Sequence, residues 1–192
     1  MQPMRLISRD DAVLVVVDVQ ERLAAAMAHG ETVISAVSRL ARTAALLGMP
    51  IIITRQYPQG LGCTVPQLDV LVTRLKEEGA QVDQVDKTTF SCAAEPAFME
   101  ALERTGRRQP VLTGMETHIC VAQTSLALME LGFDVQVPAD ACCSREELAH
   151  QVALDRMRDG GASITMSESV MYEAVGRAAT EEFRRMLAIV KE

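Results

Sequence analysis

Short apolar runs alternate with helical periodicities along the whole chain, and this restricts the fold more than any other feature. The strand-like runs are Ala12–Val17, 51–54, 81–85, 110–113, 135–137 and 162–165. Between the first two, Val33, Ile34, Val37, Leu40, Ala41, Ala44 and Leu47 share one face of a helix that Gly48 and Pro50 stop. Further helices are predicted over 68–78, 95–104, 117–131 and 146–159, with one or two more after Ser167. The continuous run 13–17 suits a strand covered on both faces. Strand–helix alternation implies right-handed crossovers and a parallel sheet. A length of 192 residues suits one α/β domain over 1–192, with no repeat or linker.

Charge narrows the partners. Lys and Arg number 19 against 26 Asp and Glu, a net charge of −7 with no basic block. Nucleic acid and anionic membrane are therefore not the expected partners. The opening residues carry no apolar leader core, Asp18 cuts short the first apolar run, and no segment reaches the length of a membrane span. The expected location is cytoplasmic. The five cysteines (63, 92, 120, 142 and 143) form no CxxC pair, so reduced thiols are expected. Vicinal Cys142-Cys143 reads as two small residues in a strand-to-helix loop rather than a redox pair.

The run Met115-Glu116-Thr117-His118-Ile119-Cys120-Val121 follows a strand end and Gly114 and opens a predicted helix. One cysteine thus arrives in the first turn of a helix, where the dipole favours a thiolate, at the sheet edge where open α/β folds bind ligands. The competing reading is a small buried filler. Asp18 ends the first strand at the same edge. It is either a base toward the thiol or, with Glu21 three residues on, half of a helix-capping box. Lys87 closes the third strand, and is either solvated or holds Asp18 ionised and lowers the thiol pKa. A fall from about 8.5 to about 7 corresponds to ~2 kcal/mol.

Around these residues, Gln20, Arg55, Tyr57, Phe90 and His118 are candidate substrate contacts. The segment 55–66, with two Gly and two Pro, is expected to be an irregular loop walling a pocket. His118 lies two positions before Cys120, which on a helix prevents a Cys–His dyad. No metal-ligand spacing, GxGxxG or phosphate loop is present, so no metal or cofactor is expected.

Asp18 in the DVQ run, Lys87 in KTTFS and Cys120 in GMETHICV, in this order, resemble the isochorismatase-like hydrolases, which include nicotinamidases and N-carbamoylsarcosine amidohydrolases. The segments 55–66, 139–145 and 161–165 are similar to those of isochorismatase domain-containing proteins. The resemblance implies a Rossmann-like, six-stranded parallel sheet between two helical layers. It also implies Cys120 as nucleophile, Asp18 as general base and Lys87 as electrostatic partner. A cis peptide between Met115 and Glu116 would turn the Glu116 N–H toward that of Cys120, making an oxyanion hole. Arg55-Gln56-Tyr57-Pro58 stands where nicotinamidases carry an Asp/His metal site, and true isochorismatases generally lack the cysteine. Hydrolysis of a small amide or related C–N bond follows. The alternatives are a non-catalytic scaffold and a thiol redox protein. A homo-oligomer, dimer or tetramer, is implied; the apolar segments 170–179 and 186–190 either cover an interface or pack on their own domain.

Overall fold

A computed structural model describes residues 6–192, so residues 1–5, part of the stretch read for a leader, lie outside it. β1 (Ala12–Val17) is the apolar run AVLVVV, buried along its whole length. Its β-branched side chains suit a pleated surface covered on both sides. β2 (Ile51–Gln56) and β4 (Gln109–Met115) flank it, and β3 (Val82–Lys87) lies beyond β2. β5 (Gln136–Pro138) and β7 (Ser163–Thr165) extend the other side, giving the order β3-β2-β1-β4-β5-β7 with every pairing parallel.

The sheet has seven strands rather than six. The extra one, β6 (Cys142–Cys143), pairs with the end of β4 through Gly114↔Cys142 and Met115↔Cys143. Two residues carry no readable periodicity, which is why the sequence pointed to a loop there.

Alternate residues of β1 divide the core. Leu14 and Val16 pack with α2 (Gly30–Leu46), α8 (Ser167–Val175) and α9 (Glu181–Val190) on one face. Val13, Val15 and Val17 pack with α5 (Pro96–Thr105), α6 (Ala122–Glu130) and α7 (Glu147–Asp159) on the other. This is the expected three-layer sandwich. The segments offered as an interface instead line its interior: Val170, Met171, Ala174, Val175, Met186 and Ile189 are all buried. Among the described residues, no helix is long and apolar enough to cross a membrane.

Two local expectations change. β2 runs on through Arg55 and Gln56, which pair with Asp86 and Lys87, so the irregular segment begins later. It is then interrupted by a helical turn, α3 (Pro58–Leu61), and ends where Pro66 starts α4 (Pro66–Glu77). The helix expected over 117–131 opens as a π-helical turn, Thr117–Val121, in which the Val121 N–H donates to the Glu116 carbonyl at 3.3 Å.

Candidate active site

Strand order reverses between β1 and β4, the switch point where the connections leave to opposite faces and a crevice opens at the carboxyl ends. Asp18, Gln56, Lys87 and the 116–121 turn all follow or close strands at that edge. Asp18 leaves β1 with φ 53°, a left-handed conformation that Asp tolerates better than most residues. Its N–H donates to the Thr54 carbonyl at 3.2 Å, and its own carbonyl accepts from Gln20 N at 2.9 Å. No capping box forms: α1 (Glu21–Ala24) starts after Gln20, without a side-chain cap.

The carboxylate of Asp18 is fully buried and doubly held. Lys87 Nζ donates to Oδ2 at 2.7 Å, and the Thr54 hydroxyl donates to Oδ1 at 2.7 Å. Lys87 also donates to Gln56 Oε1 at 2.7 Å and to the carbonyls of Thr89 and Phe90 at 3.2 and 3.3 Å. Burial works to lower the Lys87 pKa, but the charge of Asp18 and its hydrogen bond oppose it, and the pKa stays above its ordinary value. The ammonium is a fixed cation.

Cys120 sits on the π-helical turn, buried, near enough to Asp18 and Lys87 for both charges to act on its thiol. Its pKa is raised, not lowered. Burial contributes most and the Asp18 charge next, with Lys87 opposing both. The activation expected from a helix terminus and one lysine is thus overridden: the resting thiol is protonated beside a carboxylate.

Three residues that sequence reasoning missed complete this network. Thr54 is buried against Asp18, Gln56 against Lys87, and Cys92 behind Thr54. Cys92 Sγ donates to Thr54 Oγ1 at 3.8 Å, its backbone N–H donates to Thr124 Oγ1 at 2.9 Å, and burial pushes its pKa up to about 11. The available signal was a polar residue, Thr54, closing the buried apolar run of β2, since buried polar groups are retained where they have partners.

The candidate substrate contacts fare unevenly. Gln20 is fully buried and engaged with Gln56 N, Gln56 O and Gly62 O, so it braces the 56–62 turn rather than facing a ligand. Arg55 is held by Asp86 in a two-pronged pair at 2.6 and 2.9 Å. Tyr57 and Phe90 are 54% and 55% exposed, and the backbone of each hydrogen-bonds to Lys87. His118 turns to Ser144 Oγ at 2.8 Å, not to Cys120, and lines a cavity with α7. The Met115–Glu116 peptide is cis, and the Glu116 carboxylate accepts from Arg145 N and Nε.

The vicinal cysteines point to opposite faces of β6, Cys142 into one core and Cys143 into the other. Alternation along a strand keeps their sulfurs apart, which removes them as a redox couple.

The Isochorismatase domain model matches residues 12–169. The chain belongs to the isochorismatase family. It is 37% identical over 185 residues to isochorismatase domain-containing protein 2A of Mus musculus, covering 95% of this chain and 84% of that one. The structure of MAR1 ribonuclease from Caenorhabditis elegans superposes with a TM-score of 0.87 at 33% identity, covering 98% of this chain and 93% of that one. The YcaC gene product of Escherichia coli, an octameric hydrolase of unknown specificity, gives 0.81 at 25% identity, covering 99% and 89%. The fold is that of an isochorismatase-family hydrolase.

Proposed function

We propose that the protein hydrolyses a small amide or related C–N bond through a thioester on Cys120. The observation that carries this reading is the buried Asp18 carboxylate, clamped by Lys87 and Thr54 and acting on the Cys120 thiol. A protonated thiol needs a base at the moment of attack, and Asp18 is that base. As the Cys120 sulfur bonds to the carbonyl carbon, the thiol proton passes to Asp18 and the carbonyl becomes an oxyanion held by the N–H groups of Glu116 and Cys120. Collapse breaks the C–N bond, and Asp18 gives its proton to the departing amine. Water then attacks the thioester as Asp18 takes a proton from it; collapse breaks the C–S bond, Asp18 returns that proton to the Cys120 sulfur, and the carboxylic acid leaves. Lys87 stays paired with the Asp18 side chain between steps and holds it in place. Tyr57 and Phe90 stand at the rim, where a small, partly polar substrate would meet them.

The five free thiols suit a reducing compartment such as the cytoplasm. Self-association, as in the octameric relative, is extended here to this chain.

Incubation with a panel of small amides, followed by intact-protein mass spectrometry, tests the reading. An acyl adduct on Cys120 is expected, lost in Cys120→Ala together with turnover. Turnover undiminished in that variant sinks the mechanism, and a panel without turnover or adduct returns the scaffold reading. The description of the C. elegans relative as a ribonuclease makes an RNA oligonucleotide a necessary member of the panel. The net charge of −7 weighs against a polyanion.

A further inference from the structure

α7 has two apolar faces. Ala153, Leu154 and Met157 bury one against the sheet. The other points away from it: Leu148 is 77% exposed and Val152 57%. Four residues apart, these two lie one above the other on the helix, and Arg156 continues the row. Together with Ala149, Glu146 and, from the opposite wall, His118, they border a groove of about 500 Å³. Glu146 and Arg156 stand at its two ends. Among the described residues, neither pairs with an opposite charge of its own chain.

An apolar strip with one acid at one end and one base at the other is complementary to itself turned through half a circle. We propose that a second copy of this chain covers the groove, the two α7 helices lying antiparallel across a two-fold axis. The midpoint between Glu146 and Arg156 in sequence is Gln151, beside Val152. An axis there sets the two Val152 side chains beside each other, offset by about 3 Å along the helices. It also brings Glu146 opposite Arg156 of the partner subunit at both ends, as an isologous interface requires. The nearest other charges are already engaged: Arg145 by Glu116, Glu147 by Gln151 and His29, and Asp155 by Arg158 along its own helix. A uniformly acidic or basic partner would satisfy one end and repel the other. Since His118 belongs to the groove wall and precedes Cys120 by two residues, the contact abuts the turn that carries the nucleophile.

This inference rests on the proposed self-association and assigns its surface. Sedimentation velocity on the full chain tests both parts separately, with circular dichroism verifying that each variant is folded. The wild type is expected to sediment as a dimer or a larger even assembly. Val152→Glu, which sets like charges together at the axis, should shift it to smaller species. Glu146→Arg and Arg156→Glu should each weaken association by roughly tenfold or more, and the two combined should restore it. A monomeric wild type overturns self-association and the surface together. An assembly that none of these variants disturbs overturns the surface alone, leaving self-association through another face.

Discussion

Lys87 Nζ lies 2.7 Å from Asp18 Oδ2, with both side chains wholly removed from solvent. Two opposite charges in such a place stabilise the fold only as a pair, because each alone leaves an uncompensated charge in a poorly polarisable interior. Lys87→Met is therefore expected to destabilise by about 3–5 kcal/mol, since Asp18 then retains only the Thr54 hydroxyl. Adding Asp18→Asn should recover much of that loss, because the remaining amide is neutral. Urea unfolding of the two single variants and the double variant measures the coupling directly. Strictly additive losses would mean that the two charges do not depend on each other.

The raised pKa of Cys120 predicts slow alkylation. At neutral pH, Cys120 should react with iodoacetamide more slowly than the exposed Cys63, as read by peptide mass spectrometry. Of the two charged neighbours, Asp18 raises the thiol pKa and Lys87 lowers it. Asp18→Asn should accordingly move the Cys120 alkylation profile to lower pH, and Lys87→Met should move it to higher pH. Shifts in the same direction would contradict this electrostatic assignment.

Much of this arrangement was legible in the chain. β1 has the bounds its apolar run implies, because a strand buried on both faces must be apolar throughout. β2 and β3 extend beyond their apolar runs into Arg55-Gln56 and Asp86-Lys87. There polar side chains pair with each other across the ladder, a condition that one-dimensional hydropathy does not contain. For the same reason the roles of Thr54, Gln56 and Cys92 are not visible in one dimension: they lie in contacts of Thr54 with Asp18, Gln56 with Lys87 and Cys92 with Thr54, each more than thirty positions apart. The sign of the Cys120 shift was misjudged because helix position and nearby charge are visible in sequence, whereas the depth of burial that decides it is not.

His150 carries a pH signature. Its ring shares a 2.9 Å hydrogen bond with Thr117 Oγ1, on the turn that bears Cys120. Burial lowers its pKa below the ordinary value, Glu147 opposing and His29 reinforcing the shift. In the folded protein the neutral ring is favoured, so the unfolded chain binds the proton first as pH falls. This contribution to stability is thus intact above about pH 6.5 and is lost as pH drops through the lowered folded value. Thermal unfolding between about pH 7.5 and about pH 5.5 should show a falling Tm in the wild type and a flatter dependence in His150→Gln. Equal slopes would assign the acid sensitivity to other groups.

Gly114 sets how closely β4 approaches β1 just before Asp18. Its φ of 112° is strained for any residue with a side chain, and a methyl group there would lie 2.0 Å from the Val17 carbonyl oxygen. Backbone atoms of a central strand cannot move aside as a flexible side-chain tip can. Gly114→Ala is therefore expected to destabilise by roughly 3 kcal/mol or more, and any folded fraction must displace the end of β1. Asp18 is the next residue after Val17, so that displacement acts on the carboxylate proposed as the base. The expected result is a lowered urea midpoint together with loss of the opposed Asp18 and Lys87 effects on Cys120 alkylation. An alanine variant with wild-type stability and an unchanged alkylation profile would show that the strands tolerate a wider separation and that the site does not depend on their close approach.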